Sequence, residues 1–385
     1  MPRNLFFTHL DIALAKSKGG SYARTLKLYK PFSLATLLIA LLLSPIAHPQ
    51  VTTDAQRGTV KVMTYNLFQG TDFVEILSAQ TFQDYLVAAN LTLNQVIDSN
   101  LPLRMQAVAH QIAITQPDLV ALQEATLWRL GAGMNPTDVL YDPLQELLDA
   151  LKAQGQHYYA VEVLDEYELQ GPLDAGFTTF LKANGRNVML ARSDEPDLQL
   201  SEIKSGTFTN LLTLPTLLGP LTINRGWGSV DVQFHGQSFR FIITHLENPI
   251  AQIPLTFQLQ QAQAMELNFG PANTSLPVIL AGDFNAIANE PTDPSNATYQ
   301  EMLNFGFGDA WADRNPPRPG LTWPLINSSV VDTASQRIDF VFYRGLLNAR
   351  EARLAGDSKQ DRVNGMWPSD HAGLRALLQI GAEAE

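Results

Sequence analysis

No cysteine occurs in the 385 residues. That excludes a disulfide framework, a cysteine nucleophile and a thiolate zinc site, so any metal must be held by oxygen or imidazole. Charge is sparse as well, at 17% of the chain, and acids outnumber bases 38 to 26. Six of those bases (Arg3, Lys16, Lys18, Arg24, Lys27, Lys30) lie before residue 49 with a single acid, Asp11; the rest of the chain holds 20 bases against 37 acids, a net of −17. Such a body repels polyanions at long range and lacks the basic face that holds nucleic acid through phosphate contacts alone. Repeats, low-complexity segments and any composition shift marking a second domain are also missing. What is present is apolar material, 45% of the residues, enough for a large core and outside the range of disordered, collagenous or coiled-coil chains.

The dense apolar run is short. Leu34 to Leu43 would span about 15 Å as a helix, against roughly 30 Å of bilayer hydrocarbon. It follows Lys27 and Lys30 and precedes Ser44, Pro45, Ile46 and Ala47, the basic, apolar, small order of a secretory signal. No charge falls between Lys30 and Asp54, so an uncleaved anchor stays open, with Pro45 arguing for a break. Residues 1–50 are therefore expected to be a signal peptide or N-terminal anchor. The body, 58–382, is expected to be exported: periplasmic, extracellular or membrane-anchored. Cleavage would start the mature chain between His48 and Asp54.

From Val60 onward, short apolar runs alternate with loops or helical patterns. The runs Val60–Leu67, Leu119–Glu124, Tyr158–Val163, Asn187–Ala191, Ser229–Phe234, Phe239–His245, Pro277–Asp283, Ile338–Tyr343 and Ala372–Ile380 read as buried strands. Helical spacing marks Arg104–Ile114 and Asp138–Gln154, and His235-Gly236 between two runs predicts a hairpin. These patterns predict two packed mixed β-sheets flanked by helices. Several runs end in polar groups: Val60, Val62 and Thr64 lead to Asn66; Val120 and Leu122 to Glu124; Phe241 and Ile243 to His245; Ile279 and Ala281 to Asp283, with Asn285 two residues on. Asp339 opens a further run, and Asp370-His371 precedes the last. A rigid strand whose polar tip meets solvent is what a site at a sheet edge requires. Alone, each of these groups reads equally as a solvated end or a satisfied turn; the joint pattern does not.

The ordered set Thr64-Tyr65-Asn66, Leu122-Gln123-Glu124, Thr244-His245-Leu246, Gly282-Asp283-Phe284-Asn285, Arg337-Ile338-Asp339 and Ser369-Asp370-His371 resembles the endonuclease/exonuclease/phosphatase superfamily. That group contains deoxyribonuclease I, exonuclease-type repair endonucleases, inositol polyphosphate 5-phosphatases and neutral sphingomyelinases. The resemblance runs from Val60 to about Leu378 and implies a four-layer α/β sandwich, with 58–382 a catalytic domain whose site lies between the edges of two sheets.

Chemistry and resemblance agree on roles. Glu124, Asn66 and Asp370 offer hard oxygen ligands suited to Mg²⁺ or Mn²⁺. Asp283, positioned by Asn285, is expected to deprotonate the attacking water. His371, held by Asp339 and kept protonated, would face the transition-state oxygens, and His245 would contact phosphate or assist the leaving group. In deoxyribonuclease I the histidine matching His245 pairs with a glutamate just before the middle strand; here that neighbourhood reads Asn184-Gly185-Arg186-Asn187. The acid pair is thus not evident, and Arg186 and Asn187 are expected to meet phosphate with Asn66. The stretch between Asn66 and Glu124 exceeds that of compact relatives, and the apolar spacing in Asp72–Leu103 predicts amphipathic helices capping the cleft.

The function expected is a divalent-metal-dependent phosphoesterase, foremost a phosphodiesterase on a small or lipid-linked phosphoester. The leucines of 208–221 would meet a membrane surface or pad the core. A secreted DNase- or RNase-type nuclease is the alternative, nucleic acid being a less favoured partner. A non-catalytic binding module is disfavoured because no site position is replaced.

Overall fold

The computed structural model describes residues 58–325 and 333–381. The expected signal or anchor within residues 1–50 lies outside them. Among the described residues, no helix is long and apolar enough to cross a membrane.

Two large sheets organise the chain. In the first, the order is β15 (Leu347–Ala355), β16 (Gly373–Ile380), β1 (Thr59–Asn66), β2 (Leu119–Gln123), β6 (Thr179–Arg192), β3 (Leu127–Ala132) and β4 (Val139–Tyr141), with β5 (Tyr158–Pro172) also paired to β6. The second runs β13 (Gly308–Asp309), β14 (Asp339–Arg344), β12 (Val278–Asp283), β11 (Gln237–His245), β10 (Gly226–Phe234) and β7 (Gln199–Thr207). Each sheet is mixed: β1 is parallel to β2 and antiparallel to β16, while β11 is parallel to β12 and antiparallel to β10. The predicted hairpin joins β10 to β11, with φ of 49° at His235 and 78° at Gly236, the two positive values that a twist-matched two-residue turn demands.

Side-chain alternation builds the layers. Val60, Val62, Leu119, Ala121 and Met189 from the first sheet meet Phe241, Ile243, Ile279, Ala281 and Val341 from the second. The intervening residues Met63, Tyr65, Val120, Leu122, Val188 and Leu190 face outward onto α3 (Leu101–Thr115) and α4 (Pro143–Ala153). On the far side, Ile242, Leu280, Phe340 and Phe342 pack under α5 (Leu255–Phe269) and α6 (Asn296–Asn304). The result is the four-layer sandwich. Fully burying each such side chain contributes roughly 1.5–3 kcal/mol.

Two expectations need correction. The helix expected over Asp138–Gln154 starts at Pro143, capped by the Asp142 side chain, and Val139–Tyr141 ahead of it is an edge strand. Segment 72–103 does form helices, α1 (Val74–Ser78) and α2 (Phe82–Asp98), but their apolar side chains are spent on the first sheet. Ile76, Tyr85, Leu86, Ala89 and Val96 bury themselves with Trp128, Leu181 and Ala183, so the pair covers a face of the arm that β3, β5 and β6 make. The leucine-rich segment forms a two-stranded ribbon, β8 (Leu212–Thr216) and β9 (Gly219–Ile223), with Leu212 and Leu221 buried and Leu217 and Leu218 exposed at its tip. A last short helix, α7 (Ala310–Arg314), follows β13.

Candidate active site

The alternation that fills the middle layer also aims the polar strand ends. Asn66 continues the inward face of Val60 and Val62, His245 that of Phe241 and Ile243, and Asp283 that of Ile279 and Ala281. Cross-strand register aligns three of them: His245 stands opposite Asp283 on the parallel neighbour, and Asp283 opposite Asp339 on the antiparallel one. The first sheet supplies Asn66 from β1 and, just before β16, His371. Ser369 ties those strands together by donating its hydroxyl to Asn66 O at 2.6 Å.

Asp283 is the hub. Its Oδ2 accepts from Asn66 Nδ2 at 3.0 Å and lies 3.6 Å from His245 Nε2 and 3.8 Å from His371 Nε2. Its Oδ1 accepts from the Asn285 backbone N at 2.9 Å, and Asn285, at φ 51°, anchors its own amide on Leu246 O. Burial first, then the charge of Asp339, push the Asp283 carboxyl above its ordinary range, against the pull of both histidines. His371 Nδ1 is bonded to Asp339 Oδ2 at 2.9 Å. Burial would lower that imidazole, but Asp339, Asp370 and Asp283 outweigh it and hold His371 protonated well above the usual histidine range. Thr322 Oγ1 accepts from Ile338 N and, at 3.4 Å, from Asp339 N, steadying the carboxylate.

Glu124 reaches the site by another route than strand alternation. Strand β2 ends at Gln123, whose side chain faces inward to accept from Thr64, whereas Val120 and Leu122 face the helices. Glu124 itself turns the chain at φ 57°. That sparsely populated conformation, of the kind found at functional sites, brings Oε1 to Asn66 Nδ2 (3.1 Å) and Oε2 to Gln69 N (3.0 Å). Arg104, in the first turn of α3, fixes the adjoining loop through Leu67 O and Phe68 O.

Two corrections concern phosphate contacts. Arg186 sits one residue away from the inward face of β6, so it points to the helical side, donating to Ala125 O and pairing with Asp142 at 2.6 Å. Its cation is not offered to the cleft. Asn187 does face inward, fully buried, with neither amide atom hydrogen-bonded among the described residues. The missing acid partner of His245 is supplied by Glu166 on β5, 3.5 Å from Nδ1. A β-bulge between Asp165 and Tyr167 re-aims it. Arg225 grips both Glu166 oxygens at 3.0 Å. Burial opposes ionisation of Glu166, but Arg225 and His245 prevail and pull it down to about 2. Glu166, Arg225, Thr322 and Arg104 were not visible as site residues in the sequence; the acidic cluster Asp165-Glu166-Tyr167-Glu168 was the available signal for the first.

Two donor sets at this site suit a divalent cation. Glu124 and Asp370 are partly exposed carboxylates, close enough that the charge of Glu124 raises Asp370; Asn66, expected as a third ligand, turns its Nδ2 to Glu124 and its Oδ1 to Phe68 N. Asp370 is pushed up to about 6 by burial, opposed by His371 and reinforced by Glu124, a repulsion that a hard cation relieves. Asp283, Asp339 and His371 also bring donor atoms within 4.8 Å of one another, and Asp339 Oδ1 is buried without a hydrogen-bond partner among the described residues. That set requires the protonated His371 to give up its proton before it can coordinate, so the Glu124 set fits better.

A buried carboxylate beside an imidazolium, next to oxygen donors at the edges of two packed sheets, is an arrangement suited to hydrolytic chemistry on phosphoric esters. The chain belongs to the Endonuclease/Exonuclease/phosphatase family, whose model matches residues 63–371. Family members are usually phosphoester hydrolases and generally use divalent metal ions. Among solved structures it is similar to a family protein from Beutenbergia cavernae (20% identity, 84% of this chain and 72% of that one, TM-score 0.52). It is also similar to one from Leptotrichia buccalis (19%, 82% and 98%, 0.50) and to a humanized D. rerio TDP2 (16%, 83% and 99%, 0.50). At this identity they speak for the fold alone. No curated protein matches the chain in sequence.

Proposed function

We propose that the protein is an exported, Mg²⁺- or Mn²⁺-dependent phosphodiesterase acting on a small or lipid-linked phosphoester. The observation that carries this reading is the state of the arginines around the site. Arg104 is occupied by backbone carbonyls, Arg186 by Asp142, Arg225 by Glu166 and Arg337 by Asp309. None of these four is left to follow a polyanionic backbone away from a phosphate lying beside Asp283 and His371.

Asp283, raised by burial and Asp339, holds the attacking water and takes its proton. His371 keeps its proton and donates to an oxygen of the transition state, its ring fixed by Asp339. His245, oriented by Glu166, contacts a second phosphate oxygen or the leaving group, and Asn187 offers an unsatisfied amide. A divalent ion on Glu124 and Asp370, with Asn66 steadying Glu124, would neutralise charge developing on the phosphoryl group. The exposed Leu217 and Leu218, at the tip of a ribbon that runs directly into Arg225, suit contact with a membrane surface. A nuclease is the second reading, favoured by the Glu166–His245 pair, which resembles that of deoxyribonuclease I.

A panel of soluble phosphodiesters, phospholipid vesicles and DNA, assayed on one preparation, tests the choice. Turnover of the first two with little on duplex DNA supports the proposal, and preferential DNA cleavage replaces it with the second reading.

A further inference from the structure

A cavity of about 540 Å³ opens where α7 and the following loop, beside the second sheet, meet edge strand β15 of the first. Its wall carries four arginines, Arg314 and Arg318 on one side and Arg350 and Arg353 on the other. The chain as a whole has a net charge of −12, so background charge does not account for such a concentration of cations. The acids present do not cancel it. Glu351 is shared between Arg353, at 2.6 Å, and Arg375, and Arg350 donates to Gln379 at 2.7 Å, which leaves Asp357 as the remaining acid of the wall beside Arg314 and Arg318. Arg314 and Arg318 form no ion pair among the described residues, whereas Arg186, Arg225 and Arg337 each pair with a carboxylate.

The two walls are fastened together. Asn315 Nδ2 donates to Ala352 O at 3.0 Å across the cavity, and Trp311 Nε1 donates to Arg318 O at 2.9 Å, setting the loop that carries Arg318 just after Arg314 ends α7. Gly320 closes against the same indole ring, at φ 65° and with no room for a Cβ. From there the chain passes to Thr322, which steadies Asp339, and to Trp323, whose Nε1 donates to Asp370 at 3.3 Å. The cavity is therefore separate from the hydrolytic centre but joined to it by a short, tightly held segment.

We propose that this cavity is a second binding site, for a compact anion carrying several negative charges, of the class of a small molecule bearing a di- or triphosphate group. Guanidinium forks match phosphate oxygens in pairs, and the volume lies in the range of small-molecule pockets. The site stands whatever ester the catalytic centre hydrolyses.

The test is isothermal titration of the full chain with inorganic tripolyphosphate in excess chelator, which removes divalent ions from both partners. Wild type is expected to bind saturably, with affinity that falls as salt rises. The double variant Arg314→Gln/Arg318→Gln, altered at exposed side chains, should bind about tenfold more weakly or worse. Arg353→Gln, from the opposite wall, should weaken binding in the same direction. Lys204→Gln, which removes one exposed cation elsewhere, should bind as wild type does. No saturable binding by wild type, or equal affinity in wild type and the Arg314/Arg318 variant, overturns the proposal.

Discussion

Asn66 Nδ2 donates to Asp283 Oδ2 at 3.0 Å, a single bond between the last residue of β1 in one sheet and the last residue of β12 in the other. The same amide reaches Glu124 Oε1, and its oxygen accepts from Phe68 N. One neutral side chain thus orients the base, a carboxylate of the metal set and the loop between them. Asn66→Ala should lower kcat about 10²- to 10³-fold and destabilise the fold by about 1–3 kcal/mol, since Phe68 N loses its acceptor. Kinetics and denaturant unfolding on the same preparation measure both, and near-wild-type values would remove Asn66 from the account.

Asp283→Asn and His371→Ala should each abolish most turnover with cooperative unfolding retained. The double variant should be little worse than either, because base and imidazolium act in one transition state. Additive losses would show that the two act independently.

Glu166→Gln removes the charge that Arg225 requires and the partner of His245. Leaving that guanidinium uncompensated in the interior should cost about 3–5 kcal/mol, with a fall in turnover. The pH dependence has a definite sign. Glu166 is depressed from 4.5 to about 2 in the fold, so its contribution is fully present above pH 4.5 and is lost as pH falls toward 2. The stability difference between wild type and Glu166→Gln should therefore shrink across that window and be flat above it. A difference that grew on acidification would contradict the pairing.

Leu217→Ser/Leu218→Ser should reduce hydrolysis of phosphodiesters presented in vesicles while sparing a soluble diester, because the ribbon tip is exposed and outside the catalytic residues. Equal loss on both substrates would assign these leucines to the fold.

Where the sequence was legible, burial made it so. Strands β1, β11 and β12 are covered on both faces and read as continuous apolar runs whose last inward residue is polar. Strand β7 (QLSEIKSGT) is largely exposed, and β15 (LNAREARLA) is an edge strand with a register shift between Ala349 and Glu351; neither carries a clean alternation. Glu166 was hidden by its bulge, which sends it inward while Asp165 and Glu168 stay among their polar neighbours. Arg186 and Asn187 are adjacent in sequence but face opposite layers, and only the register of β6 against its neighbours separates a structural cation from an amide in the site. The segment 72–103 has the spacing of amphipathic helices, and spacing alone does not say which surface they cover.

The most direct measurement is hydrolysis of a soluble phosphodiester by wild-type protein before and after chelation, followed by Mg²⁺ or Mn²⁺ addition. The donor set is oxygen throughout, with no thiolate in the chain, so chelation should abolish turnover and either ion should restore it. Full activity in excess chelator would contradict the account.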